Sequence, residues 1–302
     1  MPNKNKNLRM GIYLSSPDTK KFSVDGSNKK LKYGASAMQG WRLNMEDAHI
    51  SDSEFGPDMA LFAVFDGHGG PEVAKYCERH FGDVLKSNPN FEKGRYDVAL
   101  KEAFLRMDEL LVTTEGQAEL RTLKPDGEPL ESQAGCTANV CLLVGNTVYC
   151  ANAGDSRSIL YSNKKMVPLS EDHKPENEVE RNRINQAGGF IIEGRVNGNL
   201  NLSRAIGDLE YKKNPGLKPT EQLISAEPDV VTRVLTGDDE FIVMGCDGVW
   251  EILTGLEICQ IVERRFRDDP KVKASKVIEE ILDRSLAPDT SRKHITFRRL
   301  IF

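Results

Sequence analysis

The sequence predicts an α+β fold: a central β-sandwich of two mainly antiparallel sheets, flanked by pairs of helices in four α-β-β-α layers. Three observations carry this reading. Apolar runs of strand length ("ALFAVF", "CTANVCLLVG", "TVYCANAG", "RSILYS" and "EFIVMGC") crowd the middle of the chain. Helical periodicity comes in pairs on either side of them, without regular β-α-β alternation. The 302 residues are enough to bury one substantial core.

Residues 1–30 are polar and rich in Lys, Asn and Ser, which predicts a loosely held arm before a domain spanning 31–291. "KYGASAMQGW" and "EDAHISD" read as strands joined by a turn. Pro71 to Leu85 reads as a helix with Val73, Tyr76, Cys77, Phe81, Val84 and Leu85 on one face, and Pro71 suits its first turn. Asp97 to Leu111 is a second helix, with Ala99, Ala103, Phe104, Met107, Leu110 and Leu111 as its stripe. "LRTLKPDGEPLES" reads as a loop. The "GN" after "CTANVCLLV" suits a tight hairpin. Glu176 to Ala187 is a short charged helix that stops at Gly188-Gly189. "GDLEYKKNPGLKPTEQLISAEPD" is a long polar loop with three prolines. Helices follow near Gly255 to Phe266 and Lys271 to Leu286, and residues 292–302 form a basic tail.

The net charge of −5 gives no basic excess, which argues against nucleic acid as a partner. No apolar run approaches the ~18 residues of a membrane span, so no stable membrane insertion is expected. The N-terminus lacks the apolar segment of a secretory signal. Six cysteines, none in a C-x-x-C pair, read as reduced core residues and predict a cytoplasmic or nuclear protein. "MGIYLS", Met10 to Ser15, matches a myristoylation pattern, which allows membrane association only if translation starts at Met10. No oligomer seam stands out, so a monomer is expected.

Candidate chemistry centres on Asp66 and Asp247. Each ends an apolar run and precedes Gly, in "FAVFDG" and "IVMGCDG". A carboxylate there is held by its strand yet open to the surface, and Gly lets a backbone carbonyl turn toward the same point. Carboxylates, carbonyls and water are what Mg²⁺ and Mn²⁺ prefer. Asp-Gly is also a common turn dipeptide. "WRLNMEDAH" adds Arg42, Glu46 and Asp47, and "CANAGDSR" adds Asp155 and Arg157. Bland readings pair Arg42 with Glu46, and Asp155 with Arg157 in a turn. Clustered carboxylates beside an Arg suit phosphoryl transfer to water, with an Arg fork on the phosphate. His68, one Gly beyond Asp66, suits a general acid.

"GWRLNMEDAH", "FAVFDGHGG", "GCTANV", "CANAGDSR", "DHKP", "NGNLNLSRAIGD", "EPDV" and "CDGVWE" occur in the order found in the metal-dependent protein phosphatases, the type 2C serine/threonine phosphatases. The chain resembles that family from about Tyr33 to Ser291. The resemblance implies two Mn²⁺ or Mg²⁺ ions in a cleft at one end of the sandwich. Asp66 would bridge them, the Gly67 carbonyl would bind one, and Asp247 would ligate the other. Glu46 and Asp47 would hold or support metal-bound water, and Asp155 with Asp247 could hold a weaker third ion. His68 would be the general acid and Arg42 would hold the substrate phosphate. The implied reaction is hydrolysis of phosphoserine or phosphothreonine in proteins by a metal-activated water, without a phosphoenzyme. The segment "LEYKKNPGLKPTEQ" falls where the family has a mobile flap.

The end of the chain departs from the pattern. The family places a metal-binding Asp after the region of "SLAPDTS", whereas here "RKHITFRRLIF" follows and no Asp lies beyond Asp289. The departure implies weaker binding of one ion. His294 is a softer stand-in, and "HITF" and "LIF" are candidates for a substitute strand. It also raises an alternative, a phosphatase-like binding protein without turnover. A third reading, a two-metal nuclease, is opposed by the acidic balance.

Overall fold

The strands alternate between two sheets because their apolar runs must be covered on both faces. The computed structural model describes residues 13–124, 134–288 and 298–301. Strands β1 (Tyr13–Ser27), β2 (Lys32–Arg42), β3 (Ala48–Gly56), β4 (Met59–Phe65) and the short β5 (Gly67–His68) come first. Helices α1 (Glu72–Lys86), α2 (Pro89–Glu92), α3 (Tyr96–Leu111) and α4 (Thr114–Leu123) follow. Next are β6 (Gly135–Cys136), β7 (Ala138–Val144), β8 (Thr147–Ala153), β9 (Arg157–Ser162) and β10 (Lys165–Pro168). Helix α5 (Glu178–Gln186) leads to β11 (Ile191–Ile192), β12 (Arg195–Val196) and β13 (Ile206–Gly207). Two 3₁₀ turns, Leu209–Lys212 and Pro219–Glu221, interrupt the polar loop before β14 (Asp229–Val234) and β15 (Asp239–Gly245). The chain closes with α6 (Asp247–Trp250), α7 (Gly255–Asp268), α8 (Ala274–Arg284) and β16 (Arg298–Ile301).

Of the two large sheets, one has the order β1-β2-β16-β15-β9-β10 and the other β14-β8-β7-β4-β3, while β13-β6-β5 and β11-β12 form two small ones. Neighbouring strands within each are antiparallel. The pleat of β4 shows how the layers form. Leu61, Ala63 and Phe65 join Phe81 of α1 and Phe104 and Met107 of α3 in one buried cluster. Ala60, Phe62 and Val64 point the other way and meet Cys141, Leu160 and Met244 between the sheets. Burial on both faces explains why β4 reads as a continuous apolar run. On the far side, Met38, Ile159 and Val243 pack under Ile258 and Val262 of α7 and Val277 and Ile281 of α8. Each such side chain contributes roughly 1.5–3 kcal/mol on burial. The predicted four-layer sandwich is the observed one.

Local chemistry supports the elements. The two-residue turn between β7 and β8 places Gly145 at φ 59°, the positive φ that a hairpin turn requires at that position. In α7 the Thr254 hydroxyl accepts from the Glu257 N–H while Glu257 reaches back, a capping box. All six cysteines are buried and unpaired by disulfides.

Three segments differ from expectation. Residues 13–27, expected as part of a loose arm, form β1. Their polar side chains are used across the sheet: Asp25 accepts from the Ser275 N–H (2.9 Å) and hydroxyl (2.6 Å) at the start of α8, and Lys21 pairs with Asp283. Residues 114–123 form α4, started by the Thr113 hydroxyl accepting from the Gly116 N–H at 3.0 Å. The basic tail contributes β16 at Arg298–Ile301, a strand that includes Leu300 and Ile301 of the candidate "LIF"; the candidate "HITF" lies outside the described residues. Residues 125–133, Met10 to Ile12, Asp289 and His294 also lie outside them.

Candidate active site

Strand ends bring the candidate acids together. Ala48 pairs with Phe65, so Asp47 and Asp66 flank the same rung between β3 and β4. Gly245 pairs with Arg157, which sets Asp247 just beyond β15 beside Asp155 in the link between β8 and β9. Carboxylate oxygens of Asp47 and Asp66 lie with the Cys246 sulfur within 4.8 Å of one another. Gly67 is required by contact: a Cβ there would stand 2.3 Å from the Glu46 carbonyl oxygen. A Gly67→Ala variant should therefore push the Glu46-Asp47 backbone away from Asp66. Thermal melts should show a loss of about 1–3 kcal/mol, and Mn²⁺ titration should show weaker binding.

The acids repel one another. Burial, then the charges of Asp47, Asp247 and Asp155, push the Asp66 carboxyl well above the usual range. Burial, then Asp155 and Glu251, push Asp247 up to about 8, with Lys174 opposing them. This donor set fits a hard divalent cation: buried and half-buried carboxylate oxygens crowd one space, each destabilising the charge on the next. Cys246 does not fit that role. Its side chain belongs to the cluster between the sheets, and burial with the neighbouring acids pushes its thiol well up.

His68 is anchored. Its Nε2 lies 2.8 Å from Asp208 Oδ2, and Asp208 is fully buried with φ 50°. Burial lowers the His68 pKa, but Asp208 outweighs it and the net shift is upward. Asp208 sits inside the motif "NGNLNLSRAIGD", yet nothing local marks it as a partner for a residue 140 positions away. Lys174, likewise missed, pairs with Asp155.

The bland readings fare unequally. Arg42 and Glu46 do approach, at 3.7 Å, with the Arg42 side chain 32% exposed. Arg157 does not pair with Asp155; it forks onto Asp172 through two bonds of 2.9 Å.

A second polar network supports Asp208 from below. Glu180 of α5, with its side chain 2% exposed, accepts from Arg204 at 3.0 and 2.7 Å and from Arg183 at 2.7 Å. Arg204 also donates to Asp229 at 2.9 Å, and His173 Nε2 donates to the same carboxylate at 3.1 Å. This fixes the segment that leads from Ser203 into β13 and Asp208.

The family model for protein phosphatase 2C matches residues 31–294. "Probable protein phosphatase 2C 3" of Paramecium tetraurelia is 53% identical over 285 residues, 94% of this chain and 95% of its own length. "Protein phosphatase 2C homolog 3" of Schizosaccharomyces pombe is 46% identical over 286 residues, 93% of this chain and 66% of its own. A phosphatase structure from Toxoplasma gondii superposes with a TM-score of 0.75 at 24% identity, covering 93% of this chain and 95% of its own, which supports the fold. Among the described residues no helix is long and apolar enough to cross a membrane. With a family match across most of its length and half-identical relatives along nearly all of it, the chain belongs to the protein phosphatase 2C family and is a protein-serine/threonine phosphatase.

Proposed function

We propose that the chain hydrolyses phosphoserine and phosphothreonine in protein substrates with Mn²⁺ or Mg²⁺ bound at its carboxylate cluster. The observation that carries this is the gathering of Asp47, Asp66, Asp155 and Asp247 at adjoining strand ends of the two sheets. Asp66, Asp247 and the Gly67 carbonyl would hold two ions, with Glu46 and Asp47 beside them and Asp155 available for a weaker third. Bound there, the ions supply a water of lowered pKa and neutralise phosphoryl oxygens. Arg42, partly exposed beside Glu46, orients the phosphoryl group through its planar fork. His68 gives its proton to the leaving serine or threonine oxygen. Asp208 keeps the imidazole aimed and favours its protonated form. Six buried thiols offer no nucleophile, in keeping with hydrolysis that forms no phosphoenzyme.

The test is phosphate release from a phosphothreonine peptide across a Mn²⁺ titration. Turnover should vanish with a chelator and return with Mn²⁺, and no phosphorylated protein should be trapped. Chelator-resistant turnover or a trapped phosphoenzyme would overturn the reading.

A further inference from the structure

The aim of Asp208 at His68 is set by its backbone, and that backbone is held from the helical layer. Asp208 Oδ2 meets His68 Nε2 at 2.8 Å, while Oδ1 is buried without a hydrogen-bond partner among the described residues. The direction of the carboxylate therefore follows from the main chain. That main chain is bent: Gly207 has φ 84° and Asp208 φ 50°, the second a conformation that a residue with a Cβ disfavours. The bend brings Asp208 to Gly135, whose strand pairs it with His68 on one side and with Gly207 on the other. A Cβ on Gly135 would stand 2.6 Å from Asp208 Oδ2 and 2.8 Å from His68 Nε2, so the two meet across a bare backbone. The Asp208 N–H donates to the Ala134 carbonyl at 2.9 Å. The Gly207 N–H donates at 2.8 Å to Asp108 Oδ1 of α3, 99 positions away. Asp108 Oδ2 accepts from Lys212, just past the bend, and the same ammonium donates to the Ala205 carbonyl just before it at 2.8 Å. The Lys212 and Asp108 side chains are largely shielded, 8% and 17% exposed. Phe104, Met107 and Leu111, fully buried in the helical cluster, make this stretch of α3 a firm anchor.

We propose that Asp108 is a positioning residue for His68: by holding the Gly207 N–H and Lys212 together, it fixes the bend that aims Asp208 at the imidazole. The proposal rests on His68 as the proton donor to the leaving oxygen. A carboxylate suits the task because it accepts at both oxygens at once, one for each side of the bend. Lys212 compensates its charge where little water reaches. Without Asp108 the Gly207 N–H loses its acceptor, and the bend relaxes toward a conformation that Asp208 prefers. Asp208 then turns away from the imidazole, and the proton reaches the leaving oxygen less often. Phosphate binding, assigned to Arg42 and the metal ions, does not pass through this contact. The signature is therefore a loss in kcat and not in KM, confined to leaving groups that need a proton. The alkoxide of threonine needs one, whereas p-nitrophenolate departs without it.

The test compares Asp108→Leu with Lys212→Met against Asp108→Asn with Lys212→Met. The first exchanges a shielded ion pair for apolar groups of similar size, a change that folds tolerate. The second differs from it only in offering an acceptor, whose amide oxygen has the Gly207 N–H to face once Lys212 is gone. In Mn²⁺ the first variant should lose about tenfold or more in kcat for a phosphothreonine peptide, with KM and p-nitrophenyl phosphate turnover within about twofold of the parent. The second should recover most of that loss. In Mg²⁺-loaded protein, the His68 imidazole N–H held by Asp208 should give a downfield, slowly exchanging proton resonance in the parent and in the second variant, and none in the first. Equal losses on both substrates overturn the proposal, as does a resonance that survives in the first variant. If that variant does not fold, Asp108→Ser with Lys212→Met, whose hydroxyl stops short of Gly207, decides by the same readouts. His68→Gln tests the underlying reading separately. If it slows both substrates alike, His68 is not the proton donor, and the resonance alone then decides whether Asp108 positions the imidazole.

Discussion

Asp66→Asn lowers kcat/KM for a phosphothreonine peptide by about a thousandfold or more, the scale lost when a preorganised charge-stabilising group is removed from a site. The carboxylate stands at the centre of the cluster, so no neighbour can replace its position. The same change should stabilise the metal-free protein. Burial and three nearby acids all oppose charge on Asp66, so an uncharged amide relieves repulsion that cations otherwise relieve. Melts in chelator should show a higher Tm for the variant than for the parent. Added Mn²⁺ should raise the parent's Tm and leave the variant's nearly unmoved. A variant that keeps full activity, or melts lower in chelator, would show that the cluster is not what drives the site.

The second large effect concerns stability. Glu180→Ala should cost about 3–5 kcal/mol, because it leaves the Arg183 and Arg204 guanidiniums buried without their carboxylate. For a chain of this size that lowers Tm by roughly 10 °C. Burial alone would push the Glu180 carboxyl up, but Arg204 and Arg183 outweigh it and hold it at about 2, against 4.5 ordinarily. A depressed folded pKa means the stabilisation is present above pH 4.5 and fades as pH falls toward 2. Urea unfolding should thus show the gap between parent and Glu180→Gln narrowing from pH 6 to pH 3. A gap independent of pH would mean that packing, and not charge, accounts for the loss. Asp208 follows Arg204 closely in the chain, so residual activity in the folded variant should fall as well.

Much of this was legible in the sequence where cause and effect are close together. Strand β4 could be read because both its faces are apolar, and Asp66 because it ends that run. Helices α1 and α3 showed complete stripes. What escaped was long-range or polar. Strand β1 has few apolar residues, and its role rests on Asp25 and Lys21 meeting α8, more than 200 residues later. Asp208 and Lys174 acquire their roles only when the sheets are assembled. Arg157 and Asp155 are neighbours in sequence, which suggested a pair. The turn instead sends Arg157 to Asp172 and leaves Asp155 to Lys174.

Asp66 hangs from one sheet and Asp247 from the other, while Asp155 sits in the link that carries the chain across. The separation of these acids is therefore governed by the spacing of the sheets, about 10 Å between backbones. That spacing is set by the filling between the sheets, Phe62, Leu160 and Met244 among it, which continues to Cys246 beside Asp47 and Asp66. The sandwich behaves as a caliper: its filling fixes the opening of its jaws. A smaller residue deep in the filling should then shift these acids relative to one another from a distance.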